Sequence, residues 1–270
     1  MRYFVFICTL FFAINAFAER TTLTGDMTQG GLVTGITDPA AKVYFEGRPV
    51  SVSAGGRFVF GFGRDFKPSA SLRIVYPDGT EESHSLVISK REYQIERVDG
   101  LPPSKVTPSP EALARIKKEN AEIARIRGIE TPEEWFLSGW QWPAKGRISG
   151  VYGSQRILND VPKRPHFGLD IAAPVGTPVI ASTDGMVRMA EPDLFYTGGT
   201  VMIDHGYGLV SVYSHLSKID VKAGEFIRQG TKLGEIGATG RASGPHLDWR
   251  LNWFNERLDP ELLLRTAPSN

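Results

Sequence analysis

Two kinds of hydrophobic spacing divide the chain. From about Thr21 to Val98, short β-branched and aromatic runs alternate with turn signals: Leu32–Ile36, Lys42–Phe45, Pro49–Val52, Arg57–Phe60, Leu72–Tyr76 and Leu86–Ile88, separated by Asp-Pro, Glu-Gly, Gly-Gly and Pro-Asp-Gly. Short strands so spaced predict a small antiparallel β-sandwich over residues 21–98. The pattern then breaks. Leu101-Pro-Pro-Ser-Lys-Val-Thr-Pro108-Ser109-Pro110 cannot continue a sheet, because proline removes ladder donors. Ser109 as N-cap, Pro110 at the first helical position, Glu111 near the positive end of the dipole and Gly128 beyond the end predict a helix over 110–127. Its narrow stripe of Leu113, Ile116, Ile123 and Ile126 suits a surface helix packed on a neighbouring domain. A second capped start, Thr131-Pro132-Glu133-Glu134, leads into Trp135, Phe136, Trp140 and Trp142, read as a hydrophobic clamp that ends a linker spanning 99–145. From Gly146 to about residue 262 the pattern is strand and glycine, with runs at Pro178–Ala181, Gly185–Arg188, Gly199–Asp204, Val210–His215, Leu233–Ile236 and His246–Leu251. That predicts a compact antiparallel all-β domain, with 263–270 as a tail.

Composition changes this picture mainly at the N-terminus. With 270 residues, 41% hydrophobic and 23% charged, the chain has enough apolar material for two cores and is not a disordered protein. Met1-Arg2, the apolar run Tyr3–Phe12 and the small-x-small Ala16-Phe17-Ala18 read as a signal peptide over 1–18. No later run reaches transmembrane length, so no membrane span is expected in the mature chain. The single cysteine, Cys8, lies inside the leader, which excludes disulfides and thiol chemistry from the mature protein. Losing Arg2 leaves 30 basic and 30 acidic residues. Such a balance offers no field for nucleic acid or an anionic membrane.

The candidate chemistry sits in two distant stretches, His166-Phe-Gly-Leu-Asp170 and Gly244-Pro-His246-Leu-Asp248. Successive strand side chains face opposite ways, so His246 and Asp248 project together while Leu247 enters the core. Gly168 and the following Ile-Ala-Ala-Pro argue that His166 and Asp170 lie on a loop entering a strand. Imidazole and carboxylate converging from two segments suit a divalent metal with a position left for water. Other polar groups read as structural. His84 falls on a solvent-side strand, His205 precedes the Gly206-Tyr-Gly208 turn, Trp249 and Trp253 alternate into the core, and the Gly-rich pieces Gly198-Gly199 and Gly237–Gly240 are hairpin turns.

An ordered series of motifs goes further. Tyr152-Gly153-Ser-Gln-Arg156, His166-Phe-Gly-Leu-Asp170, Pro174–Pro178, Asp184-Gly185, Asp204-His205-Gly206, Tyr213-Ser-His215, Val221–Gly224, Thr239-Gly240-Arg241 and Gly244-Pro-His246 together resemble the LytM/lysostaphin-type zinc metallopeptidases of bacterial cell walls. The resemblance covers Ile148 to about Pro260; more loosely, residues 38–58 resemble an immunoglobulin-like module. The fold so implied is all-β: an immunoglobulin-like sandwich, a short helical linker and a LytM-type peptidase domain.

The resemblance implies that His166 and Asp170 are zinc ligands and that His215 and His246 are catalytic. His246 is then the expected base and His215 the expected oxyanion donor, with the two roles exchangeable. Where the family normally carries a histidine as third ligand, this chain has Asp248. Zinc accepts a carboxylate oxygen, so Asp248 is taken as the third ligand; two carboxylates would cancel the ion's charge and shift preference toward manganese. Arg250, on the same strand face, is placed to hold Asp248. The implied function is a Zn(2+)-dependent endopeptidase acting on peptidoglycan, exported to the periplasm or beyond. The alternative is an inactive scaffold that regulates another cell-wall hydrolase.

Overall fold

The computed structural model describes residues 20–99 and 108–265. The expected leader, most of the proline-rich stretch and residues 266–270 of the expected tail lie outside them. The N-terminal strands β1 (Thr22–Gly25), β2 (Leu32–Ile36), β3 (Lys42–Phe45), β4 (Arg48–Val50), β5 (Arg57–Gly61), β6 (Ser69–Val75) and β7 (Glu81–Val87) form two antiparallel sheets, in the orders β1-β2-β5 and β4-β3-β6-β7. Alternation explains the pairing: Ala70, Leu72 and Ile74 of β6 face inward while Ser69, Ser71 and Arg73 stay exposed. The inner face is aromatic. Phe45 stacks on Phe60 at 4.6 Å, and Phe58, Phe60 and Phe62 are fully buried.

The next strand departs from the expected sandwich boundary at Val98. Strand β8 (Ile95–Val98) leaves the N-terminal sheets and pairs in parallel with β10 (Gln155–Leu158) of the C-terminal region. Helix α1 follows, from Pro110 to Arg127, with Ser109 Oγ accepting from the Ala112 amide at 3.2 Å. The second capped start yields only a 3₁₀ turn, Trp135–Ser138, whose N-cap makes no side-chain bond. Its threonine is spent elsewhere. Thr131 Oγ1 donates to Asp204 Oδ2 at 2.5 Å, which fixes this segment against the sheet instead of starting a helix.

The C-terminal unit contains β9 (Arg147–Gly150), β10, β11 (Val161–Pro162), β12 (Leu169–Ala172), β13 (Pro178–Ile180), β14 (Gly185–Leu194), β15 (Gly198–Gly206), β16 (Leu209–Ile219), β17 (Phe226–Ile227), β18 (Lys232–Ile236), β19 (His246–Trp253), β20 (Glu256–Leu258) and the short α2 (Leu262–Arg265). Its main sheet runs β17-β14-β15-β16-β19-β12-β9. On β19 the alternation separates two faces. Leu247, Trp249, Leu251 and Trp253 are buried in core on one side, and His246, Asp248, Arg250 and Asn252 line the other.

The two units share a core. Phe45 meets Trp253 at 6.0 Å, and Tyr207, Leu209, Leu251 and Leu258 join the phenylalanines of the sandwich in one buried cluster. The tryptophans bind the linker to this body: Trp135 packs on Phe226 at 5.4 Å and Trp140 on His205 at 5.3 Å. Helix α1 lies on the face that carries Asp248, where Ile123 and Ile126 cover Met202, Val210 and Val212. It thus walls one end of that face.

Candidate metal centre

Local backbone rules bring the polar residues together. The His166 amide bonds Ser154 O at 2.8 Å and its carbonyl accepts from Gly153 at 2.7 Å, so the loop is pinned before β12 begins. Antiparallel pairing of β12 with β19 then sets Asp170 directly opposite Asp248. Like charges at opposed cross-strand positions repel, so this arrangement needs compensating cations. Arginines supply part of the compensation. Arg156 Nη2 donates to Asp170 Oδ2 at 2.7 Å, and Arg250 Nε donates to Asp248 Oδ1 at 2.9 Å while its Nη2 bonds Oδ2. Arg156 is itself held by Glu96 of β8, 3.4 Å away.

The remaining lone pairs point to one place. Nitrogen or oxygen atoms of His166, Asp170 and Asp248 all lie within 4.8 Å of one another. His166 Nε2 and Asp170 Oδ1 approach to 3.0 Å, yet neither atom has a hydrogen-bond partner and both are buried. Two orphaned acceptors facing a common point in a dry site fit a divalent cation. Small residues keep the point clear: a Cβ on Gly168 would overlap Asp248, and one on Gly150 would overlap Asp170. Burial pushes both carboxyls up. For Asp170 the facing His166 and Arg156 pull it back below its ordinary value, and for Asp248 the Arg250 guanidinium holds it well below the usual carboxylate range.

Two histidines flank the trio. His246 Nε2 lies 3.9 Å from Asp170 Oδ1, and the His215 and His246 rings stand 4.7 Å apart. His215 reaches that position through its backbone. Ser214 pairs with Asp248, so regular alternation would turn residue 215 away; φ of +66° at His215 breaks the alternation and brings the ring across. Each ring donates from Nδ1 to a carbonyl at 2.8 Å, His215 to Thr239 and His246 to Gly244. A carbonyl only accepts, so in the neutral rings Nε2 is bare. Burial holds His215 down at about 4, so it is neutral near pH 7.

His205 is absent from this constellation. Its Nδ1 donates to Asp184 O at 2.6 Å, and its Nε2 lies 2.7 Å from the Ser211 hydroxyl in full burial, which lowers its pKa to about 4. Unfolding frees the ring to take a proton below its ordinary value near 6.5. His205 therefore leaves stability intact above about pH 6.5 and withdraws it as pH falls to about 4. Thermal melts of His205→Asn beside wild type are expected to show a smaller loss of Tm over that window in the variant.

The sequence motifs held Arg156 and Arg241 without giving either a role. Glu96 escaped notice because a glutamate in Gln94-Ile-Glu96-Arg carries no signal that the strand will cross to another sheet.

Comparison with known proteins agrees with the geometry. Residues 164–260 match peptidase family M23. Peptidoglycan DD-endopeptidase ShyA of Vibrio cholerae is 46% identical over 110 residues, covering 40% of this chain and 25% of that protein. DD-carboxypeptidase/endopeptidase Mpg of Neisseria meningitidis is 40% identical over 124 residues, 45% of this chain and 28% of its own length. The chain thus matches about a quarter of the length of these curated relatives. A Pseudomonas aeruginosa protein solved as a candidate M23 peptidase aligns over 88% of this chain and 95% of its own, at 30% identity and a TM-score of 0.69. The alignment with that solved relative spans most of this chain, and the chain belongs to peptidase family M23.

Proposed function

We propose that the protein is a zinc-dependent endopeptidase that cuts the peptide stems or cross-links of peptidoglycan outside the cytoplasm. The observation that carries this reading is the convergence of His166, Asp170 and Asp248 beside two imidazoles with bare Nε2 atoms. His166 Nε2, Asp170 Oδ1 and a carboxylate oxygen of Asp248 would hold the ion. When bound, zinc polarises the scissile carbonyl and acidifies the attacking water. Arg156 and Arg250 offset the charge of the two carboxylates, so an all-protein set of two aspartates and one histidine need not quench that Lewis acidity.

The chain's own groups then manage the proton. His246, the more exposed ring, accepts a proton from water at Nε2 and, once charged, gives it to the departing amide nitrogen. His215 is kept neutral by burial and bare at Nε2, so it has no proton there for an oxyanion. It serves instead to orient the water by accepting its second hydrogen bond. Arg250 fixes the Asp248 carboxylate, and Arg156, braced by Glu96, fixes Asp170.

Purified chain incubated with peptidoglycan sacculi is expected to carry one zinc and release peptide products. His246→Ala and His215→Ala should each keep the metal and lose about 10²–10⁴ of the rate. Elemental analysis and chromatography of released fragments read the two quantities separately. The closed Asp248–Arg250 ion pair favours a second reading, a scaffold that regulates another wall hydrolase, because it satisfies the carboxylate without metal. Absence of zinc uptake together with absence of hydrolysis would decide for that reading.

A further inference from the structure

Ser214 stands in the Tyr213-Ser-His215 motif without a task. It is fully buried on β16, directly opposite Asp248 of β19. Opposed residues of an antiparallel pair share a face, with Cβ atoms about 5 Å apart, so the hydroxyl lies within reach of the Asp248 carboxylate. Yet the Ser214 oxygen has no hydrogen-bond partner among the described residues. A buried hydroxyl that bonds nothing costs free energy, and alanine would fill nearly the same space without that cost. The segment is fixed on either side: the Tyr213 hydroxyl accepts from the Ser182 amide at 3.0 Å, and the His215 amide donates to Thr197 O at 2.8 Å. The Ser214 hydroxyl is the part left to turn.

In the structure Asp248 is engaged from another direction. Arg250 Nε donates to Asp248 Oδ1 at 2.9 Å and lies 3.1 Å from Oδ2, while Nη2 also bonds Oδ2. Arg250 stands two residues further along β19 and draws the carboxylate along its own strand; Ser214 stands across the ladder. With one of these oxygens given to a cation at the trio, the guanidinium no longer holds both. A carboxylate in that state turns about its last bond unless a second donor fixes the other oxygen. The need is sharper than at a ligating histidine, whose ring is oriented by one bond from its other nitrogen.

We propose that Ser214 is a positioning residue of the metal centre: its hydroxyl donates to the Asp248 carboxylate when one oxygen of that group is given to the cation, and holds the carboxylate jointly with Arg250. The inference rests on the metal-site reading above and adds to it the device that lets an aspartate serve on β19. In the ion-free chain the hydroxyl waits without a partner, and the bond it then makes contributes to metal affinity. Ser182 supplies the comparison. It too is fully buried with an orphaned hydroxyl, but it stands beside Tyr213, whose side chain lies in the core on the opposite face of the sheet from Asp248.

The test measures zinc dissociation constants on the metal-free full chain by competition with a chromophoric chelator, for wild type, Ser214→Ala, Ser214→Thr and Ser182→Ala. Ser214→Ala should bind zinc at least about tenfold more weakly, a loss of about 1.4 kcal/mol. Ser214→Thr, which keeps the hydroxyl, should stay close to wild type, and Ser182→Ala should match it. Metal-free melts give the readout that a merely structural serine would move the other way: Ser214→Ala should melt at or above wild type, because it loses only an orphaned donor. If the threonine variant does not fold, the alanine variant and the Ser182 control still decide. An unchanged dissociation constant in Ser214→Ala, an equal loss in Ser182→Ala, or a metal-free Ser214→Ala that melts below wild type overturns the role. Wild type that binds no zinc overturns it together with the metal site. Unchanged affinity in Ser214→Ala beside continued hydrolysis of sacculi by wild type sinks the serine and spares the peptidase reading. Weakened affinity with no hydrolysis by wild type does the reverse.

Discussion

Replacing His166 by alanine is expected to remove zinc and hydrolysis together. His166 is 1% exposed, neither ring nitrogen makes a hydrogen bond among the described residues, and its Nε2 faces Asp170 Oδ1 at the trio. Without it, the ion would face Asp170 and Asp248 alone, both already engaged by arginine. Elemental analysis should fall from one zinc per chain to none. A folding readout checks the same point independently of activity. Zinc at about a thousand times its Kd should stabilise wild type by about 4 kcal/mol and leave His166→Ala unmoved. A variant that kept its metal would place the ion elsewhere and dissolve the proposed site.

The second large effect concerns Arg250→Met in the metal-free protein. Asp248 is 1% exposed and sits opposite Asp170, so removing its guanidinium strands a buried carboxylate beside another. Breaking one partner from a buried pair costs about 3–5 kcal/mol. The pH dependence should change sign as well. In wild type burial raises the Asp248 pKa but Arg250 drives it far lower, so its contribution is present above the unfolded value near 3.9 and lost on acidification. In the variant burial acts with less opposition and the pKa rises; stability should then fall as pH climbs through the new value. Denaturant titrations at pH 5 and pH 7 would show the reversal, and added zinc should recover much of the loss by restoring a cation. An unchanged free energy at both pH values would show that the ion pair is incidental.

Much of the fold is legible in the sequence where chemistry is local. The helix over Pro110–Arg127 is marked by Ser109, Pro110 and Gly128, each acting within one turn of its own position. The faces of β19 follow from strict alternation, so His246 and Asp248 could be paired before any tertiary contact was known. Other features are set at long range. Strand β7 begins Glu81-Glu-Ser-His, polar on both sides, because its outer face meets water and its inner face starts at the sandwich rim. Nothing near His215 announces a positive φ, which depends on the amide of His215 bonding Thr197 across the hairpin. The parallel pairing of β8 with β10 joins segments about 60 residues apart, and only that pairing brings Glu96 to Arg156.

The shared core bears on how such a protein could be rebuilt. A fragment beginning at Gly146 would present Leu251, Trp253 and Leu258 to water where the phenylalanines of the sandwich now lie, an apolar patch of the kind that drives aggregation. The same cut would take Glu96 from Arg156, loosening the arm that steadies Asp170. Joining other modules to this C-terminal unit, as if it were an independent cartridge, would therefore need a replacement back surface as well as a replacement brace. In this chain the N-terminal sheets form part of the chassis that carries the candidate metal centre.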